Sequence, residues 1–396
     1  MTARTRWIVL LVSTPLVAFV VIGGLLGRAM AREGTYPHLR IFEDVVSLIA
    51  GNYVEEVDVD KVMSGAMRGL AEGLDADSAW LTREQAKSFE SEPATAGAVP
   101  TGTAGTPGLE LTRGYYLRVI AARDESSAAK AGLQTGDYIR AIDGKPTKNL
   151  SAVEGMRLLR GPVGSKVTVT VLRGSATDPR DIALVREAAP RSDVAGRLQA
   201  PGVGYVRIAA FGPGVQTRIE SQVAALTKAG AGKLIVDLRN TAQGSFDDGI
   251  RAARLFVSSG TLASRETRTG KDVVASAAPG DGKLTAPVVL LTTTGTSGAA
   301  EIFAAALIDN KRATTVGERT LGRAGLQKLV KLPDGSALWM TWARYVTPSG
   351  TAIHGAGLEP AVEVEQPDVE FGDLPHTADP ILEKALEQFT AVKKAA

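Results

Sequence analysis

Residues 287–327, PVVLLTTTGTSGAAEIFAAALIDNKRATTVGERTLGRAGLQ, constrain this chain more than any other stretch. The apolar run over 288–291 ends in small and hydroxyl residues, and the alanine-rich segment 299–309 that follows suits a buried helix. A strand entering a helix through Thr-Gly-Thr-Ser-Gly presents unpaired backbone N–H groups at the turn. Many hydrolases hold a nucleophile and stabilise an oxyanion in this way, so the layout is that of an active site. The sequence before it alternates in the same manner: 204–208 reads as strand, 215–228 as helix, 233–238 as strand and 246–257 as helix. Such alternation argues an α/β layer.

Composition removes several function classes. A chain of 396 residues allows two to three domains, each able to bury a core. The net charge is +2, with lysine and arginine spread along the chain, and this gives no basic stripe for nucleic acid. Cysteine is absent, which excludes disulfides, thiolate zinc sites and a cysteine nucleophile. His38, His354 and His376 show no metal-ligand spacing, so neither a metal nor another cofactor is expected.

Segment 7–26, WIVLLVSTPLVAFVVIGGLL, carries no charge, and as a helix it would reach ~30 Å, the thickness of a hydrocarbon core. Arg4 and Arg6 precede it and Arg28 and Arg32 follow, so the positive-inside bias is weak. The alternative is a cleaved signal peptide, for which Ala29-Met30-Ala31 has the small-x-small form. The length of the apolar run favours an anchor in the inner (cytoplasmic) membrane, with the rest of the chain facing the periplasm or cell exterior. From 40 to 89 the chain reads as helices, with Phe42, Val45, Val46, Ile49 and Tyr53, then Val62, Met63, Ala66 and Leu70, at three- and four-residue steps. Residues 91–107 are rich in Ala, Gly, Thr and Pro and read as a linker. Residues 379–393 suit an amphipathic helix that packs on the core through Ile381, Leu382, Leu386 and Phe389.

The segments AAKAGLQTGDYIRAIDG (128–144) and GPVGSKVTVTVL (161–172) resemble a PDZ domain, a match extending over about 105–187. That resemblance implies capture of a protein or peptide carboxyl terminus as an added strand. The carboxylate would be held by N–H groups of loop 107–111, with Gly108, Leu109, Glu110 and Leu111 on the peptide side and Met156 and Leu159 from the facing helix. The competing reading makes the apolar residues of this set plain core.

The stretch 287–327 resembles the carboxy-terminal processing (tail-specific) peptidases, serine proteases that use a serine and a lysine. Their motif serine-alanine-serine-alanine-serine-glutamate-isoleucine, counted back from Glu301-Ile302, places the nucleophile at Gly298, and their lysine falls on Arg323 within Thr320-Leu321-Gly322-Arg323-Ala324. The glutamine that positions that lysine is kept as Gln327. Glycine has no side chain to attack a carbonyl, and arginine, with a pKa above ~12, cannot act as a base near neutral pH. In loop 237–244, DLRNTAQG, Gln243 replaces the first of the family's paired glycines, leaving the N–H groups of Gly244 and Ala299 as oxyanion donors. In GLAEGLDADSAWL (69–81), Ala76, Asp77 and Trp80 stand where the family has proline, histidine and tyrosine. Residues 343–350 and 355–360 match the family's closing strands.

Two readings of the hydroxyl beside Gly298 remain: Ser297 as an unorthodox nucleophile, with His354 a remote candidate base, or Ser297 as a helix-capping residue and His354 as a solvated loop histidine. The second is preferred, because no base for Ser297 is recognisable. The resemblance implies a crotonase-like, ClpP-like α/β peptidase core with an inserted PDZ module, an N-terminal helical region and one membrane helix. The expected organisation is stub and anchor 1–32, helical region 33–90, linker 91–107, PDZ-like domain 108–187, peptidase-like core 188–366 and C-terminal helix 367–396. The expected function is a catalytically degenerate pseudopeptidase that binds carboxyl termini, with a homodimer or an active paralogue as further partner. The alternative is an active endopeptidase processing the carboxyl termini of envelope proteins.

Overall fold

The computed structural model describes residues 36–90, 104–174, 178–188, 194–367 and 378–391. The expected anchor or signal segment, residues 91–103 of the linker and His376 lie outside the described residues. No described helix is long and apolar enough to cross a membrane. The chain divides into two units, residues 1–67 and 68–396.

In the first unit, the three- and four-residue spacing of apolar side chains produces helix α1 (Tyr36–Asn52) and most of α2 (Val59–Glu72). The Asp58 carboxylate accepts the Lys61 N–H at 3.0 Å and starts α2. Leu39, Ile41, Phe42, Val45, Leu48 and Ile49 of α1 are exposed.

The second unit opens with a departure from the all-helical expectation for 40–89. Strand β1 (Ala79–Leu81) pairs antiparallel with 337–339, and only then does α3 (Arg83–Glu90) begin. Asp75 causes the break, since its carboxylate accepts the N–H groups of Asp77 at 2.9 Å and Ser78 at 2.6 Å, which forms a turn. A mainly β module follows: β2 (Leu109–Thr112), β3 (Leu117–Ala122), α4 (Ser127–Lys130), β4 (Tyr138–Ile142), α5 (Ala152–Leu159), β5 (Lys166–Leu172) and β6 (Arg180–Val185). The strands pair antiparallel in the order β2-β3-β4-β5-β6 around Leu109, Leu111, Val119, Ile139, Leu159 and Val169. Among the described residues β2 is an edge strand, with α5 packed beside it.

The remainder contains β7 (Val194–Ala200), β8 (Val203–Ile208), α6 (Val215–Lys228), β9 (Lys233–Asp237), α7 (Phe246–Ala253), β10 (Thr261–Thr267) and β11 (Gly270–Ser276). It continues with β12 (Val288–Thr292), α8 (Ala299–Asp309), β13 (Ala313–Gly317), β14 (Gly325–Lys331), β15 (Ala337–Val346), β16 (Val362–Glu363) and α9 (Pro380–Ala391). The main sheet runs β7-β8-β9-β12-β13-β16, parallel except for β7. Helices α6, α7 and α8 cover one face, with Phe211, Phe256 and Phe303 fully buried, and α9 covers the other through Ile381, Ala385 and Phe389. Buried on both faces, β12 is apolar without alternation. The helix expected over 246–257 stops at Ala253, and Leu255, Phe256 and Val257 continue it as a buried turn. A second, antiparallel sheet, β1-β15-β10-β11 with β14 against β15, is not among the elements expected from the alternation.

Loops 238–245, 293–298 and 318–324 leave the carboxyl ends of β9, β12 and β13, which are neighbours in the sheet. In open α/β sheets this crevice is where ligands and chemistry are placed.

Candidate active site

The turn after β12 is tied to the loop after β9. Thr296 Oγ1 donates to the Leu238 carbonyl at 2.9 Å, and the Ser297 N–H donates to the Thr241 carbonyl at 2.9 Å. Gly298 then enters α8 with φ 65° and ψ −122°. This backbone conformation is costly for any residue with a Cβ, and a strained turn of this kind is how a strand-to-helix turn lifts a nucleophile clear of the backbone. A Cβ built at Gly298 would have only the carbonyl oxygens of Ala242 at 3.8 Å and Arg323 at 3.9 Å nearby. The position therefore has the geometry and the room for a nucleophile, without the side chain.

Glu301 holds this arrangement together. Its buried carboxylate accepts the Gly298 N–H at 3.0 Å, the Gly322 N–H at 2.6 Å, the Arg323 N–H at 2.8 Å and the Thr320 hydroxyl. Burial pushes its pKa above the ordinary value of 4.5, opposed by those hydrogen bonds. In the sequence Glu301 stands out only as part of the motif; its place three residues after Gly298, which caps α8, is the signal for this role.

Arg323, in register with the family's lysine, is a buried, paired cation. Its Nε donates to Asp77 Oδ1 at 2.9 Å, and its Nη1 lies 3.6 Å from Glu110 Oε2. Burial opposes its charge, but the carboxylates of Asp77 and Glu110 outweigh burial and raise its pKa above that of a free arginine. It is the opposite of a base. Gln327 lies on β14 and donates to Thr341 Oγ1 at 3.2 Å.

In the loop after β9, Gly244 adopts φ 135°, and a Cβ there would lie 2.3 Å from the Phe211 carbonyl, so only glycine fits. Gln243 is buried, accepts from Arg123 Nη1 at 3.4 Å and hydrogen-bonds Glu110.

Two expectations for the neighbouring residues need correction. Ser297 is not the helix cap: Gly298 is, and Ser297 Oγ is buried without a hydrogen-bond partner. A nucleophile needs a base in contact, and Ser297 has none. His354 lies in a turn but is not solvated; its side chain is 15% exposed, with Nε2 4.0 Å from Asp75 Oδ2 and Nδ1 unpartnered.

The PDZ-like module also differs in detail. Pro107 has no N–H, and the Gly108 N–H is taken by Thr106 Oγ1 at 2.9 Å, so loop 107–111 offers fewer donors to a carboxylate than expected. Leu109, Leu111 and Leu159 are fully buried in the module's core, with Met156 packed partly buried against it. Glu110, expected on the peptide side, has its carboxylate beside Arg323 in the peptidase-like part. Strand alternation is the signal that places Glu110 on the face opposite Leu109 and Leu111. Burial raises the pKa of Glu110, opposed by Arg323, Arg160 and Arg123.

Residues 202–364 match peptidase family S41, and residues 118–173 match the PDZ domain family. The carboxy-terminal-processing protease of Bartonella bacilliformis is 32% identical over 341 residues, covering 85% of this chain and 77% of that protein. The carboxyl-terminal-processing protease of Synechocystis is 37% identical over 297 residues, covering 73% and 69%. Among solved structures, the photosystem II D1 C-terminal processing protease superposes with a TM-score of 0.65 at 28% identity, covering 82% of this chain and 92% of that one.

Proposed function

The chain belongs to peptidase family S41, and on that premise we propose that it is a member that binds protein carboxyl termini without cleaving them. One observation carries this reading: at the position that would begin bond-breaking there is Gly298, with space above it and no hydroxyl. Without a nucleophile no acyl-enzyme forms, and Arg323, hydrogen-bonded to Asp77 and 3.6 Å from Glu110, cannot take the part of a base. The glycine-only backbone at Gly244 and the N-terminus of α8 beside Gly298 support a retained oxyanion region. The apolar segment 7–26 supports a membrane-anchored protein whose PDZ and peptidase-like parts face the periplasm or cell exterior, serving as a binding or scaffold surface. The open edge of β2 beside α5 supports peptide addition as a further strand.

The test is cleavage of a peptide with an apolar carboxyl terminus by the full chain and its Ser297→Ala variant. The reading expects no cleavage by either. Cleavage that disappears in Ser297→Ala would establish an active peptidase instead.

A further inference from the structure

Arg323 and Asp77, two residues that depart from the family's pattern, meet Glu110 in one buried cluster that joins three parts of the second unit. Asp77 comes from the turn before β1, Glu110 from β2 of the PDZ-like module, and Arg323 from the loop after β13. Side-chain exposures are 13% for Arg323 and 6% for each carboxylate. Arg123, at the end of β3, extends the cluster to Gln243 at 3.4 Å and to Glu187 at 3.8 Å.

Other polar contacts also join the module to the rest of the unit: Arg113 donates to the Glu72 and Asp75 carbonyls at 2.7 and 2.9 Å, and Gln85 Nε2 donates to the Glu154 carboxylate. Arg207 pairs with Asp124 at 2.7 Å, but the Asp124 side chain is 43% exposed, and ion pairs in such solvent contact contribute little. Thr135 Oγ1 reaches Asn240 Oδ1 at 3.0 Å, and apolar contact is made at two places, through Ile120, Ala121, Ala242 and Leu321 and through Val153 against Leu81, Phe89 and Trp339. A buried pair behaves otherwise: removing one member strands the remaining charge away from water, a loss larger than any exposed pair supplies.

We propose that Arg323 is an interdomain latch, its guanidinium pairing with Glu110 and Asp77 to hold the PDZ-like module closed over the cleft where the base would work. When the module swings away, Glu110 leaves with β2, and Arg323 and Asp77 are rehydrated. The family's base position has thereby become a positioning residue for domain geometry. The proposal rests on the reading that Arg323 transfers no proton. It does not depend on which peptide the module binds.

The chain has no cysteine, so Lys130→Cys in the module and Lys228→Cys in the core, both exposed, give a unique dye pair for single-molecule energy transfer on the full chain in detergent. Arg323→Ala is expected to raise the open-to-closed ratio roughly a hundredfold, and Glu110→Ala to do the same. The double variant should open no further than either single one, since both remove the same interaction. Additive effects would mean that each residue only packs locally, which overturns the latch. So would wild-type distance distributions in folded Arg323→Ala and Glu110→Ala proteins. Should either alanine variant fail to fold, Glu110→Gln, which removes the charge and keeps the shape, must show the open population. Peptide cleavage by the wild-type chain would defeat the functional reading alone, leaving the latch to be judged by the distance distributions.

Discussion

Introducing a hydroxyl at Gly298 tests separately the two positions that match the family's dyad, Gly298 and Arg323. A side chain at φ 65° and ψ −122° carries backbone strain of about 1–3 kcal/mol, while the nearest atoms, at 3.8 and 3.9 Å, add no overlap. Gly298→Ala and Gly298→Ser should therefore lose stability equally, by about 1–3 kcal/mol in denaturant titrations. Catalysis should not follow from the serine alone. A positioned general base is worth about 10²–10⁴ in rate, and Arg323 cannot serve. Replacing it by lysine puts an amine beside Asp77 and Glu110, whose charges favour the protonated form; each unit of raised pKa removes about tenfold of the free base at neutral pH. Removing the closer carboxylate relieves this. Labelling by a serine-directed fluorophosphonate should rise in the order Gly298→Ser, then Gly298→Ser with Arg323→Lys, then that pair with Asp77→Asn. Equal labelling rates in the first and last would refute the reasoning, because the serine would then have a base other than residue 323.

Other perturbations follow from the same contacts. The folded-state pKa of Glu301 lies above 4.5, so the folded protein holds this proton more tightly than the unfolded chain. The contribution of Glu301 to stability is thus largest below 4.5 and falls as pH rises through the folded-state value. The stability difference between wild type and Glu301→Gln, measured by denaturation across pH, should shift against the wild type in that direction. Gly244→Ala forces a Cβ to within 2.3 Å of the Phe211 carbonyl, and a loss of about 2–5 kcal/mol is expected from overlap and strain together, read as a lowered denaturation midpoint. Phe303→Ala empties a fully buried site between Phe211 and Phe256, with an expected loss of about 3–5 kcal/mol by the same measurement.

Much of the core was legible because local signals agreed. Helix α8 begins and ends where the alanine-rich segment does, since a helix buried on nearly all sides must be apolar throughout, and helix α6 likewise matches the segment 215–228. Strand β1 was not legible: three residues cannot display a two-residue period, and its partner lies at 337–339. The mismatch with the family's dyad was visible from motif register alone, at Gly298 and Arg323. What Arg323 pairs with was not, because Arg323 and Asp77 meet across 246 residues of chain and nothing local marks them as partners. The burial of His354 and the unpartnered hydroxyl of Ser297 depend in the same way on what tertiary packing brings beside them.

With glycine at residue 298, the wild-type chain should form no covalent acyl or phosphonyl intermediate. Incubating it with a fluorophosphonate probe and weighing the intact protein tests this directly. An unchanged mass, under conditions that label an active serine peptidase of the family, is the predicted result. A stoichiometric adduct mapped to Ser297 would contradict it.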